Sequence, residues 1–75
     1  MKNLKVGMKV KVNKNMKIIE DYQEEYIGQE GIIYNIRSIE HYPYSVKFEN
    51  SNLRDEILDF NASELDILKN NIKKL

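Results

Sequence analysis

The stretch at residues 26–36 constrains the fold of this chain more than any other part of the sequence. It reads YIGQEGIIYNI, so two glycines three positions apart are followed at once by a mostly apolar run. Glycine permits backbone angles and close approaches that a Cβ atom would forbid. The pattern therefore predicts a tight turn around Gly28 and Gly31 that leads directly into a β-strand.

Length and charge limit what kind of protein this is. A chain of 75 residues supports one domain with a small core, which we expect to cover about residues 4–68, followed by a polar tail at 69–75. The chain has no cysteine, which fits a reducing compartment, and we expect a cytoplasmic protein without membrane span or signal peptide. The 12 basic and 12 acidic residues balance, which disfavours a dedicated nucleic-acid binder.

Alternation of apolar and polar residues predicts five strands. They are expected at residues 6–13, 32–37, 44–49, 55–60 and 65–68. In the second strand, Ile32, Tyr34 and Ile36 should share one face. Residues 61–64 predict one short helical turn, with Asn61 or Ser63 as its cap; residues 65–68 could instead continue that turn as a helix.

The long segment at residues 13–25 does not alternate. It begins with a turn signal and ends in an acidic run, EDYQEE, at residues 20–25. We favour a structured loop over a short helical turn here, and we expect Ile18 or Ile19 to tuck under the sheet. The acidic run is interpreted as a solvated face or, alternatively, as a recognition loop for a basic partner.

In this order the segments resemble an SH3-like barrel of the bacterial KOW-like type. The resemblance rests on VGMKVKV at 6–12, YIGQEGII at 26–33, YSVKFE at 44–49 and the turn and strand within 60–68. It implies an all-β fold: a small SH3-like five-stranded barrel with one short helical turn before the last strand. Domains of this kind contact RNA or protein, and other SH3-like barrels bind peptides or serve as small phage or accessory proteins. The lysine-, asparagine- and isoleucine-rich composition is typical of AT-rich bacterial or phage genes.

Candidate catalytic and metal-binding residues are sparse. His41 is the only histidine and we expect it to be exposed in a loop, without the positioned partner that a general base needs. Asp55, Glu56 and Asp59 lack the spacing and central glycine of a calcium loop. Gly28 and Gly31 lack the lysine of a phosphate-binding loop. We therefore expect a non-enzymatic binding module without a cofactor or a metal.

The first binding hypothesis is a protein-protein interaction through the loops. Loops of an SH3-like barrel can approach one another, and the predicted site is an aromatic cluster with an acidic rim. Its residues are Tyr22, Glu24, Glu25, Tyr42 and Tyr44. Tyrosine offers contact area and a polar tip, and the carboxylates suit a basic partner. The alternative is that some of these tyrosines complete the core.

Two further hypotheses remain open. Nucleic acid, RNA above all, could bind a basic outer face, for which the candidates are Lys9, Lys11, Lys14, Lys17, Arg37 and Lys47. Gln29 and Glu30 between the glycines make that turn a poor phosphate binder. Alternatively, the protein is a structural or assembly subunit of phage or mobile-element origin that associates through edge strands. The sequence does not determine the partner or the oligomeric state.

Overall fold

The computed structural model describes residues 3–38 and 41–68. Its strands are β1 (Lys9–Val12), β2 (Glu30–Ile36), β3 (Tyr44–Phe48), β4 (Ile57–Phe60) and β5 (Leu65–Ile67). They form one antiparallel sheet in the order β4-β3-β2-β1-β5. The predicted all-β class, the five strands and the short helical turn before the last strand are confirmed. That turn is a 3-10 helix at Ala62–Glu64.

The last strand settles the choice left open for residues 65–68. Leu65 lies opposite Val12 and Ile67 opposite Val10, so β5 pairs with the first strand rather than extending the helical turn. Within the described residues the sheet is open, and β4 and β5 form its two edges. The predicted polar tail at 69–75 lies outside those residues.

The first strand is shorter than predicted. β1 begins at Lys9, and the expectation of a strand from residue 6 is wrong for its first three positions. Gly7 has a φ of +94° and forms part of a turn, which breaks the extended backbone even though the side chains continue to alternate. Val6 is consequently 61% exposed. From Lys9 to Val12 the prediction is confirmed, with valines buried and lysines exposed, and the strand ends one residue before the predicted end at residue 13.

The two glycines of the 26–36 stretch are required for different reasons. The sequence predicted both reasons, a special backbone angle and a close approach, without assigning them to one glycine or the other. Gly28 has a φ of +90°, in the region that favours glycine. Gly31 has no such angle, but a Cβ placed on it would lie 2.7 Å from the Lys47 carbonyl oxygen and 2.7 Å from Cγ1 of Val46. The first glycine therefore makes the turn, and the second lets β3 approach β2.

A bulge in β2 changes which side chains face the core. Ile33 lies opposite Val46 and Asn35 opposite Ser45, so Tyr34 is an extra residue between two successive pairs. Tyr34 is 58% exposed, whereas Ile36 packs against the core. The expected common face for Ile32, Tyr34 and Ile36 is therefore wrong beyond the bulge, because one inserted residue reverses the alternation.

The connection between β1 and β2 differs most from the prediction. It contains a 3-10 helix at Asp21–Tyr26, where a loop was favoured. Ile18 and Ile19 do not tuck under the sheet, since they are 41% and 72% exposed. Met16 and Tyr26 are the buried residues of this segment instead. The expectation failed because Met16 and Tyr26 supply the buried side chains of this connection, which leaves the two isoleucines between them exposed.

Aromatic rings join this connection to the sheet. Tyr26 is fully buried and meets Phe48 edge-on at 5.1 Å between ring centroids, and Phe48 meets Phe60 at 6.0 Å. The Tyr26 hydroxyl donates to the Asp55 carbonyl and accepts from the Asp55 amide, both at 2.8 Å. This tyrosine therefore fastens the long connection to the turn before β4. No helix in the described part of the chain is long and apolar enough to span a membrane.

Candidate functional site

A groove of about 650 Å³ opens beside the edge strand β4. Three segments line it, and we call the β1–β2 connection the first wall, the β2–β3 connection the second wall, and β4 with the 3-10 helix that follows it the floor. The lining residues are Met16, Lys17, Ile19, Gln23, His41, Tyr42, Leu58, Asp59, Phe60, Asn61 and Glu64. Three segments distant in sequence thus meet at one concave surface.

Glu64 holds the first wall against the floor. Its carboxylate accepts the backbone amide of Lys17 at 2.8 Å and that of Asn61 at 2.9 Å. The side chain is only 4% exposed, and hydrogen bonds to a charged acceptor are stronger than neutral ones. Because the Lys17 amide belongs to the long connection and Asn61 to the end of β4, one carboxylate fixes the separation of the two segments.

Gln23 fixes the backbone of the same wall. Its side-chain oxygen accepts the backbone amides of Ile19 at 2.7 Å and Glu20 at 2.9 Å, which caps the 3-10 helix at Asp21–Tyr26. The backbone of Ile19 is therefore fixed while its side chain stays largely exposed. Because the backbone of Ile19 is already fixed, a ligand that contacts this apolar side chain has to restrict only the side chain.

The second wall is tied to β4 by a polar network. Arg37 donates to Asp59 at 2.7 Å and to the Ser45 hydroxyl at 2.9 Å, and that hydroxyl donates to Asp59 at 2.7 Å. The Arg37 amide also donates to the Pro43 carbonyl at 2.7 Å. Tyr42 belongs to this wall, and its exposed aromatic side chain lines the groove.

An acidic run adjoins the groove, because Ile19 and Gln23, which line it, lie beside or within residues 20–25. All four acidic side chains of this run, here called the acidic rim, are exposed, namely Glu20, Asp21, Glu24 and Glu25. In the described ranges, none of these four forms an ion pair. On the β4 side, Glu56 lies 3.7 Å from Lys47 and Asp59 is bound by Arg37. Among the described residues, Lys17 of the groove lining also has no ion pair, but the four carboxylates of the acidic rim outnumber it and favour a basic ligand.

The residues predicted for protein binding lie in three different surroundings. Tyr42 lines the groove, and Glu24 and Glu25 are exposed on the nearby 3-10 helix. Tyr44 is half-buried and packs against the core. The structure thus brings one of the three tyrosines to the groove.

Tyr22 points to a separate cluster beside the turn before β4. The Arg54 guanidinium lies 4.3 Å above its ring, and Tyr26 meets it edge-on. Desolvation and then the negative charge of Asp55 raise the pKa of the Tyr22 phenol. This ring therefore braces the loop rather than lining the groove.

Sequence reasoning missed several lining residues, although a signal existed for some of them. Glu20 and Gln23, and likewise Asn61 and Glu64, are three residues apart, the spacing of a capping box. That spacing predicts where each short helix begins and that Gln23 and Glu64 turn back on the backbone. No such local signal marks Ile19, whose exposure results from the path of the whole connection.

The predicted basic residues do not form one uniform surface. Lys9 lies opposite Ile32, and Ile32 opposite Lys47, so these three share a row on the outer face of the sheet. Lys11 lies opposite Glu30 on one side and Asp66 on the other. Carboxylates thus flank the middle of this face.

The other basic candidates stand elsewhere. Lys14 is exposed in the turn after β1, Lys17 lines the groove, and Arg37 is bound by Asp59. His41 is exposed, as expected, in the second wall of the groove. Across residues 3–38 and 41–68, no three acidic or histidine side chains lie close enough together to hold a metal ion.

Comparisons of the chain with models of protein families, with curated proteins and with solved structures give no match. The chemistry of the groove and its rim therefore has to carry the functional argument.

Proposed function

We propose that this protein is a non-enzymatic binding module that takes a basic, extended segment of a partner protein into the groove beside β4. The observation that supports this most is that exposed Ile19 and Tyr42, from two different connections, line one groove that adjoins the unpaired carboxylates of the acidic rim. Apolar and aromatic side chains at the centre and charge at the rim are the usual arrangement of a protein interface.

We also propose that the sheet curls into an SH3-like barrel. The strand order, with β1 between β2 and β5, supports this, as does the 3-10 helix immediately before β5. Small barrels of this shape serve many unrelated functions. Such a barrel would bring the two long connections to the edge of β4, while the side chains at that place determine what they bind.

A selection of random peptides displayed on phage tests the proposed function directly. We expect enrichment of sequences that combine lysine or arginine with apolar residues. Replacing Ile19 or Tyr42 by alanine should weaken the selected peptides by about fivefold or more, because truncation of a central contact at an interface costs about 1 kcal/mol or more. The matched control is Tyr34→Ala, which removes an exposed tyrosine from the outer face of the sheet.

Charge reversal at Glu24 and Glu25 tests the acidic rim. Lysine at both positions should weaken basic peptides and flatten the salt dependence of their binding, because exposed charges act over a distance that salt screens. Unchanged affinity would remove the rim from the proposal. Selection of no peptide at all, or equal binding to a protein that carries both Ile19→Ala and Tyr42→Ala, would contradict the groove as the site.

Nucleic-acid binding is the second candidate function. Exposed Tyr34 beside the Lys9–Ile32–Lys47 row supports it, since bases stack on aromatic rings and lysines meet phosphates. The flanking carboxylates of Glu30 and Asp66 count against high affinity. Titration with single-stranded RNA over a salt series decides: phosphate contacts require affinity to fall steeply with salt, and absence of binding at low salt rejects this function.

A further inference from the structure

The outer edge of β4 carries backbone hydrogen-bonding groups that no strand satisfies. The Phe48 amide donates to the Glu56 carbonyl at 2.9 Å, and Leu58 and Phe60 follow at alternate positions opposite Val46 and Tyr44. In an antiparallel pair only alternate residues bond to the neighbouring strand. The amides and carbonyls of the intervening residues, Ile57 and Asp59, therefore point away from the sheet. No residue in the described ranges bonds to these outward groups.

This edge lies along the groove. Leu58, Asp59 and Phe60 of β4 line it together with Ile19 and Tyr42. An open edge beside a groove is the arrangement that peptide-binding proteins use when a ligand adds a strand to a sheet, since the main chain supplies hydrogen bonds and alternate side chains enter pockets.

Charge distinguishes between the possible occupants of the edge. Asp55, Glu56 and Asp59 lie in or beside β4. Glu56 is paired with Lys47 and Asp59 with Arg37, so two copies of this chain paired through β4 would bring together charges that are already compensated. A strand rich in lysine or arginine would instead lie near the exposed carboxylates of the run at residues 20–25, which adjoins Ile19 and Gln23 of the groove lining.

We propose that an extended basic segment of a partner protein adds to the sheet as a sixth strand, pairing with the outward backbone groups of Ile57 and Asp59. Its alternate side chains then lie against Ile19 and Tyr42 in the groove. This inference rests on the proposed function and specifies how the ligand is held.

Amide exchange of the isotope-labelled protein tests strand addition, with a synthetic peptide of alternating lysine and valine as the probe. In the free protein the amides of Ile57 and Asp59 should exchange quickly. With the peptide bound they should exchange at least about tenfold more slowly, because each gains a hydrogen bond. N-methylation of the peptide at the bonding positions should abolish this protection, whereas N-methylation at the alternate positions is the matched control.

The outcomes separate this inference from the proposed function. If library-selected peptides bind through Ile19 and Tyr42 while the Ile57 and Asp59 amides stay unprotected, strand addition is overturned and the groove remains the site. Equal binding of a peptide of alternating glutamate and valine overturns the basic character of the strand. Protection that appears with rising protein concentration alone, together with dimers in sedimentation, assigns the edge to a second copy and overturns the inference.

Discussion

At the scale of single residues, the same amino acid has different structural roles at positions close together in the sequence. Gly28 is required for its backbone angle, since open space surrounds it, and Gly31 for space, since its angle is ordinary. The tyrosines divide in the same way. Tyr26 is buried with its hydroxyl bonded twice, and Tyr34 stands exposed on a bulge. Residue type alone does not distinguish these roles.

Gly31→Ala should destabilise the protein by about 1–3 kcal/mol, because the new methyl group would lie 2.7 Å from both the Lys47 carbonyl oxygen and the Val46 side chain. Gly28→Ala should cost about 1–2 kcal/mol, through the unfavourable angle alone. Urea unfolding followed by circular dichroism measures both. An unchanged midpoint for Gly31→Ala would show that β2 and β3 can separate at no cost.

Tyr26→Phe should cost about 1–3 kcal/mol of unfolding free energy, since it leaves the amide and carbonyl of Asp55 without their partner. Tyr34→Phe removes the same hydroxyl from an exposed ring and should change stability by less than about 0.5 kcal/mol. The two variants are compared by thermal and urea unfolding. Equal effects would mean that the Tyr26 hydroxyl contributes nothing beyond its ring.

At the scale of elements, the 3-10 helix at Ala62–Glu64 connects more of the protein than its length suggests. Asn61 caps it by accepting the Ser63 amide at 3.1 Å, while Glu64 reaches back to the Asn61 amide and across to Lys17. The turn that was predicted as a link between two strands is thus also the anchor of a groove wall.

Glu64→Ala should lower stability by about 1.5–3 kcal/mol and speed exchange of the Lys17 amide, because both backbone donors lose a buried charged acceptor. Glu25→Ala is the control, as this carboxylate is exposed on the other short helix. The Glu64 variant should also bind peptides more weakly, because the first wall of the groove is no longer held against the floor. Slow exchange at Lys17 in that variant would contradict the anchoring role.

At the scale of the whole molecule, one small core has to stabilise the fold. Eleven described hydrophobic residues are buried in a single cluster, and a domain of this size has a stability of roughly 3–5 kcal/mol without disulfides or metals. Phe48 lies between Tyr26 and Phe60 within that cluster. Loss of one central ring is therefore comparable to the entire margin of stability.

Phe48→Ala should leave the protein largely unfolded at 25 °C, since truncation of a buried phenylalanine costs about 3–5 kcal/mol. Ile19→Ala removes a side chain that is 72% exposed and should leave the melting curve nearly unchanged. Circular dichroism melts of both variants provide the comparison. A folded Phe48→Ala protein would show that the free energy of unfolding is larger than expected for a domain of this length.

Local patterns predicted the strands well and the groove poorly. Val10 and Val12 alternate with lysines within β1, and the Asn61–Glu64 spacing marks a short helix, so neighbours in sequence carry these signals. The bulge at Tyr34 has no comparable signature. It becomes visible only in the pairing of β2 with β3, which is why the face of Ile36 was predicted wrongly.

The sequence by itself determined the all-β class, the five strands in their order along the chain, the glycine-dependent turn and the short helix before β5. Only the tertiary structure decided that β4 is an edge, that Ile19 is exposed and that two connections meet beside this edge. The physical reason is distance along the chain. The contacts that build the groove join residues far apart, as the Lys17 amide and Glu64 do across 47 positions, and no periodicity of neighbouring side chains encodes such a meeting.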